Sequence, residues 1–262
     1  MIADRSAVLG LSRDERHGYV WSDGHTATGT LPSVTTIIGI VDKSGPLIGW
    51  AKRITAEAAV DNRDQLATWM ELGGRDGAIS LLTKAASVKR DKAADVGTRV
   101  HALAEAVARG QPVELTDEER PFLAAYQRFL ADWEPHYLAA EEMVVSLTHL
   151  YGGTFDAIVE MAGDTWMLDT KTSKGCYPET ALQLSAYAWA DFIGRPGDGK
   201  RYSIPPITAY GVLHLRPEGY EVVPYSVDQE TFNAFLYARR LYDWREGQAT
   251  TVMGQPLGRA IK

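Results

Sequence analysis

Hydrophobic and polar positions change period several times along the chain, and each change marks an element. Tyr19-Val20-Trp21 reads as a strand running into Ser22-Asp23-Gly24-His25, because Asp-Gly supplies the positive φ that a tight turn needs. A small N-terminal hairpin is expected there. After Pro32-Ser33-Val34-Thr35-Thr36-Ile37-Ile38 the spacing becomes helical, predicting helices near 47–60, 64–72, 76–87 and 92–109 with breaks at Gly73-Gly74 and Gly110. Thr116 followed by Glu119 has the form of a capping box, and Phe122, Tyr126, Phe129 and Trp133 then share one helical face. Pro121 sits awkwardly inside such a helix, which puts its start nearer Arg120.

Strand-like runs follow at about 142–149, 154–161 and 165–171, and the short Ala162-Gly163-Asp164 connection makes the last two a hairpin. A helix is expected from Pro178 to about Ile193, with Gly194 at its exit and a loop over 195–200. Strands at about 207–215 and 220–226 flank the turn Arg216-Pro217-Glu218-Gly219. Asp228 can cap a last helix that buries Phe232, Phe235 and Leu236, and the tail beyond Gly247 has no clear period. The order of elements predicts an α/β fold, a central mixed β-sheet flanked by helices. A single domain is expected over 1–262, with an N-terminal hairpin and helical region over 1–95, a core over 96–246 and a tail over 247–262.

The chemistry gathers at the second hairpin. Side chains alternate along a strand, so Asp169 and Lys171 project from one face while Thr170 points away. The hairpin can bring Asp156 across from Asp169. Phe155, Ala157, Ile158 and Val159 surround Asp156 with apolar residues, so its carboxylate needs a partner, and a metal ion or Lys171 would supply one. Two acids and a lysine at one sheet edge suggest a hard-metal site for phosphodiester chemistry. His101 shares a helical face with Glu105, and Gln183 shares one with Tyr187. Alone, a histidine here is more often structural or exposed than a ligand, an ordinary surface pair with Glu105, and Gln183 and Tyr187 can simply be half-buried polar groups.

Composition narrows the alternatives. Of 262 residues, 45% are hydrophobic and 23% charged, as in ordinary soluble domains, and no apolar stretch approaches a membrane span. Met1-Ile2-Ala3-Asp4-Arg5 lacks the apolar core of a signal peptide, so the expected compartment is the cytoplasm. Cys176 is the only cysteine, which excludes an intrachain disulfide and an iron–sulfur cluster. The net charge of −7 argues against a generally basic coat for nucleic acid. Lys84, Lys89, Arg90, Lys92 and Arg99 could line a local strand path, and a solvated helix face explains them equally well.

Taken in order, Gly97-Thr98-x-x-His101, Gly153-Thr154-Phe155-Asp156, Asp169-Thr170-Lys171-Thr172-Ser173-Lys174 and Gln183-Leu184-x-x-Tyr187 resemble the PD-(D/E)XK nuclease superfamily. The likeness is to its RecB-like branch and the related bacteriophage exonucleases. Pro32-Ser33-Val34-Thr35-Thr36-Ile37 and Trp50-Ala51 also look like the phage members, and the match runs from about residue 19 to 190. The resemblance implies a restriction-endonuclease-like core, with Asp156, Asp169 and the main-chain carbonyl of Thr170 as ligands for Mg²⁺ or Mn²⁺. His101 matches the additional histidine ligand of that branch, and Lys171 the lysine that orients or helps deprotonate the attacking water. Gln183 and Tyr187 match the motif that shapes the site and contacts the DNA backbone. Family members often carry a glutamate on the preceding strand, for which Glu141 and Glu142 are candidates pointing to opposite faces, with Glu141 favoured.

The implied function is a metal-dependent DNA exonuclease of phage-type recombination, repair or DNA processing, in the host cytoplasm if phage-encoded. DNA is the implied partner, and a recombinase or single-strand-binding protein stays open as a second. A structure- or site-specific endonuclease on the same fold is the alternative, because fold does not determine substrate. A non-catalytic nucleic-acid-binding protein is a third reading, against which the complete Asp156, Asp169 and Lys171 set argues.

Overall fold

The computed structural model describes residues 9–108 and 114–257. Packing divides the chain into two compact units, Met1–Val41 with Ala125–Lys262, and Asp42–Ala124. The first is an α/β unit. Its seven-stranded sheet has the order β7-β6-β3-β4-β5-β8-β9, from β3 (His136–Ser146), β4 (Tyr151–Met161), β5 (Asp164–Lys171), β6 (Phe192–Gly194), β7 (Arg201–Tyr202), β8 (Ala209–Arg216) and β9 (Gly219–Pro224). Only β5 and β8 run parallel, which makes the sheet mixed.

Apolar faces explain the flanking helices. Val34 and Ile37 of α1 (Val34–Ile38), Leu184 and Tyr187 of α5 (Thr180–Ala188), and Phe232 and Phe235 of α6 (Gln229–Glu246) share one buried cluster with Val144, Phe155, Ile158 and Met167 of the sheet. The expected Asp228 cap forms a full capping box with Thr231, which fixes where α6 starts. Arg239 of α6 donates to the Leu150 carbonyl at 3.0 and 3.2 Å, tying the helix to the β3–β4 turn. In α4 (Arg120–Trp133), Phe129 is fully buried and meets Tyr220 edge-on at 5.7 Å.

The N-terminal hairpin differs from the expected one. β2 (Tyr19–Ser22) pairs with the preceding β1 (Gly10–Arg13), while the chain leaving the Asp23-Gly24 turn returns only through isolated bridges, Ser22 with Ala27 and Tyr19 with Leu31. Leu11, Tyr19, Trp21 and Leu31 bury themselves there against Val145 and Phe192. The helix expected from Pro178 to Ile193 also ends early, at Ala188, and residues 192–194 form β6. A three-residue strand has no period to read, and its pairing with Met143, Val144 and Val145 decides the matter.

The second unit is helical, with α2 (Ser44–Asp61) and α3 (Leu66–Ala108). The expected break appears at Gly74 (φ 65°), but helix runs on through 87–92, where two separate helices were expected. Gly110 lies outside the described residues. Glu119 stands just before α4, is 2% exposed, and accepts from the Thr116 N–H at 2.9 Å and from the Arg99 guanidinium. The capping-box contact therefore forms, in the turn ahead of the helix. Arg99 first, and then the Thr116 N–H, hold the Glu119 carboxyl down at about 2.

This depression has a definite sign. The Glu119 contacts stabilise the fold fully above the ordinary carboxyl value of 4.5 and lose that contribution as pH falls towards about 2. Glu119→Gln is expected to melt earlier than the parent at pH 6, with the gap narrowing as the pH drops towards 2. Thermal melts followed by circular dichroism over that range check it, and a gap that stays constant with pH would refute the assignment.

Candidate metal and phosphodiester site

The hairpin of β4 and β5 closes through Ala162 (φ 53°) and Gly163 (φ 87°), the two positive angles of the tightest hairpin turn. Its register runs from Met161 opposite Asp164 to Ala157 opposite Leu168. One step further Asp156 falls opposite Asp169, and the ladder gives way: Asp156 Oδ2 accepts the Thr170 N–H at 2.6 Å. On the other side Ala140 pairs with Ala157 and Glu142 with Phe155, which sets Glu141 opposite Asp156. Glu141, Asp156 and Asp169 thus form a row across three adjacent strands.

The two adjacent glutamates separate cleanly. A carboxylate oxygen of Glu141 lies within 4.8 Å of one of Asp156, whereas Glu142 is held by Arg195 at 2.8 Å. Glu141 sits at φ 52°, a left-handed angle that costs a non-glycine residue on the order of 1 kcal/mol. Strain of this kind in a strand is compatible with a side chain aimed for a purpose other than packing.

Asp169 is 2% exposed, with both hydrogen bonds from side chains going to Oδ1 and an ion pair at Oδ2. Lys171 Nζ lies 2.7 Å from its Oδ2 and donates to its Oδ1 at 3.0 Å, and Gln183 Nε2 donates to Oδ1 at 2.8 Å. Burial works against the Lys171 charge, but Asp169 and Asp156 outweigh it and hold the ammonium above its ordinary value. Gln183 also donates to the Tyr187 hydroxyl at 3.2 Å. Tyr187 is buried, and burial, then the charges of Asp169 and Asp156, keep its phenol protonated well above the usual range. Its ring occupies the space that a side chain at Gly153 would need, since a Cβ there would lie 2.4 Å from it. The Gly153-x-x-Asp156 spacing thereby joins an acid to the room for α5.

His101 belongs to the helical unit, on α3, and is half-buried. The Glu105 side chain, its expected neighbour, lies outside the described residues. The basic run nearby is largely absorbed: Lys89, Arg90, Lys92 and Arg99 pair with Glu57, Asp91, Glu118 and Glu119. That is the pattern of a solvated helix face.

The structure adds residues that no sequence pattern marks. His214 Nε2 and Arg216 Nη1 both donate to the Ser173 carbonyl, at 2.8 and 2.9 Å, and so hold the segment that follows Lys171. Their signal is tertiary, because β8 lies parallel to β5 with His214 beside Lys171. Among the described residues no helix is long and apolar enough to cross a membrane. Compared with family models and with curated proteins, the chain matches none.

Proposed function

We propose that the chain is a metal-dependent deoxyribonuclease on a restriction-endonuclease-like core, degrading DNA from free ends. The observation that carries this reading is the acidic row Glu141, Asp156 and Asp169 with Lys171 bonded to its last member. Hard cations bind oxygen at about 2.0–2.6 Å, so carboxylate oxygens within 4.8 Å of each other, as in Glu141 and Asp156, fit a shared ion. Asp169 and the Thr170 carbonyl extend the oxygen set. His101 is assigned as a further ligand on its Gly97-Thr98-x-x-His101 motif alone, and an imidazole among carboxylates suits Mn²⁺ better than Mg²⁺. When bound, such an ion supplies acidity to water and offsets phosphate charge.

The chain's own groups do the rest. Lys171 is fixed by both Asp169 oxygens, so its ammonium meets the scissile phosphate in one geometry. Held protonated, it serves as a hydrogen-bond donor that orients water and as a charge that offsets the one growing on phosphorus oxygens. Gln183 holds Asp169 from α5, and the neutral Tyr187 hydroxyl braces Gln183. DNA is the proposed partner.

Asp156→Ala, Asp169→Ala and Lys171→Ala are each expected to lower turnover by about 10²-fold or more, with circular dichroism close to the parent. Asp169→Asn should be nearly as severe, since it keeps shape and loses charge. Rates are read from end-labelled linear duplex with Mg²⁺ or Mn²⁺. Folded variants that cleave at the parent rate would remove the site from consideration.

For His101→Ala the expected change is in metal use: half-maximal activity should need about tenfold more Mn²⁺, with the melting temperature little altered. An unchanged Mn²⁺ titration would make His101 a structural residue.

Digestion should require an end. With a net charge of −7 the chain lacks a broad basic surface for gripping duplex at any point, so a narrow local grip on a strand terminus is the more economical arrangement. Short labelled products should appear from linear duplex while a covalently closed circle stays intact, and activity should fall steeply with salt. Rapid linearisation of the circle at low enzyme concentration would replace the exonuclease by the endonuclease.

A further inference from the structure

Tyr19 of the N-terminal hairpin is a buried titratable group, 2% exposed, that the mechanism above leaves unused. Its hydroxyl lies 2.8 Å from Thr154 Oγ1, across 135 residues of chain. Thr154 stands on β4, next to Phe155 and two residues before Asp156. The ring is seated with equal care. A Cβ at Gly152 would lie 2.5 Å from the Tyr19 ring, so β4 gives up a side chain to admit it. The segment that follows is stitched to the same strand: Ser33 bridges Gly152, and the Gly152 N–H donates to the Pro32 carbonyl at 3.1 Å.

Two tyrosines from distant segments therefore use two consecutive glycines of β4, Tyr19 at Gly152 and Tyr187 at Gly153. Burial raises the Tyr19 phenol; the Thr154 bond and Arg13 oppose the rise, and the charge of Glu141 adds to it. Tyr19 is thus a neutral hydroxyl at any physiological pH, within electrostatic reach of the acidic row. Packing alone would be served by phenylalanine, which fills the same ring space. The hydroxyl is the part that packing does not require.

We propose that Tyr19 is a positioning residue for the acidic row: its hydrogen bond to Thr154 fixes the stretch of β4 that carries Asp156, and so holds the Asp156 and Glu141 carboxylates at the separation a cation needs. This rests on the metal-dependent reading given above. Groups that orient ligands from behind commonly change metal affinity or activity by about 10–100-fold when removed.

The test uses the full-length chain, with Mn²⁺ as probe and end-labelled linear duplex as substrate. Tyr19→Phe removes the hydroxyl, and Thr154→Val removes its partner from the other side. Each is expected to raise the Mn²⁺ concentration for half-maximal turnover about tenfold and to weaken Mn²⁺ binding in calorimetry, with KM for DNA unchanged. The double variant should be no worse than either single one, because both lose the same bond. Thr154→Ser, which keeps a hydroxyl, should retain parent behaviour. Variants that only melt earlier, with Mn²⁺ binding and turnover at parent values, would overturn the proposal, and so would additive losses in the double variant. A parent protein that neither binds Mn²⁺ nor cleaves would instead fail the functional reading itself, and Tyr19's role with it.

Discussion

Asp169 is a carboxylate withdrawn almost entirely from water, and the arrangement of the site follows from satisfying it. An isolated buried charge costs several kcal/mol, so partners on adjacent elements are obligatory. Lys171 comes from the same strand two residues on, which the period of a strand guarantees. Gln183 comes from α5, so that helix must pack at one fixed depth against the sheet. The absent side chain at Gly153 admits the Tyr187 ring, and the Tyr151 hydroxyl donates to the Ala186 carbonyl at 2.8 Å, both of which set that depth. One buried acid therefore links the position of a helix to the geometry of a site.

The second consequence is the opening between β4 and β5. A regular ladder would spend the Thr170 N–H on a main-chain carbonyl, whereas here it goes to Asp156 Oδ2. A charge-assisted bond is stronger than the neutral one it replaces, so the sheet loses little by parting at this point. A carboxylate has about four acceptor positions, and the bond to Thr170 does not exhaust them. The Thr170 bond thus fixes the aim of the Asp156 carboxylate in a way that a side chain on a loop would lack.

Much of this was readable in the sequence because the deciding interactions are local. The Ala162-Gly163 turn fixes register by itself, register fixes which acids face each other, and strand alternation fixes the Asp169 and Lys171 pair. Asp228 declares the start of α6 through a capping box. What sequence reasoning missed depends on remote partners. β6 exists because β3 offers it a pairing edge, and β1 because β2 lies beside it. Glu142 is taken by Arg195, more than fifty residues away, a partner that no local pattern announces. The Tyr19 and Thr154 contact leaves only an indirect trace, the adjacent glycines 152 and 153, whose meaning appears once both rings are in place.

These features also bear on why the site is built at some expense to stability. Three carboxylates in one row repel, and Glu141 is held at a backbone angle it would not choose. Within this unit the Lys171 ammonium offsets part of that charge, and it is bound to the far end of the row. A sequence selected only for folding would have placed apolar residues at such central sheet positions, as it does at Ile158, Val159 and Met167. Instead, three consecutive strands carry an acid at one level of the sheet, Glu141, Asp156 and Asp169. That concentration of charge at central positions is a choice that folding alone does not account for.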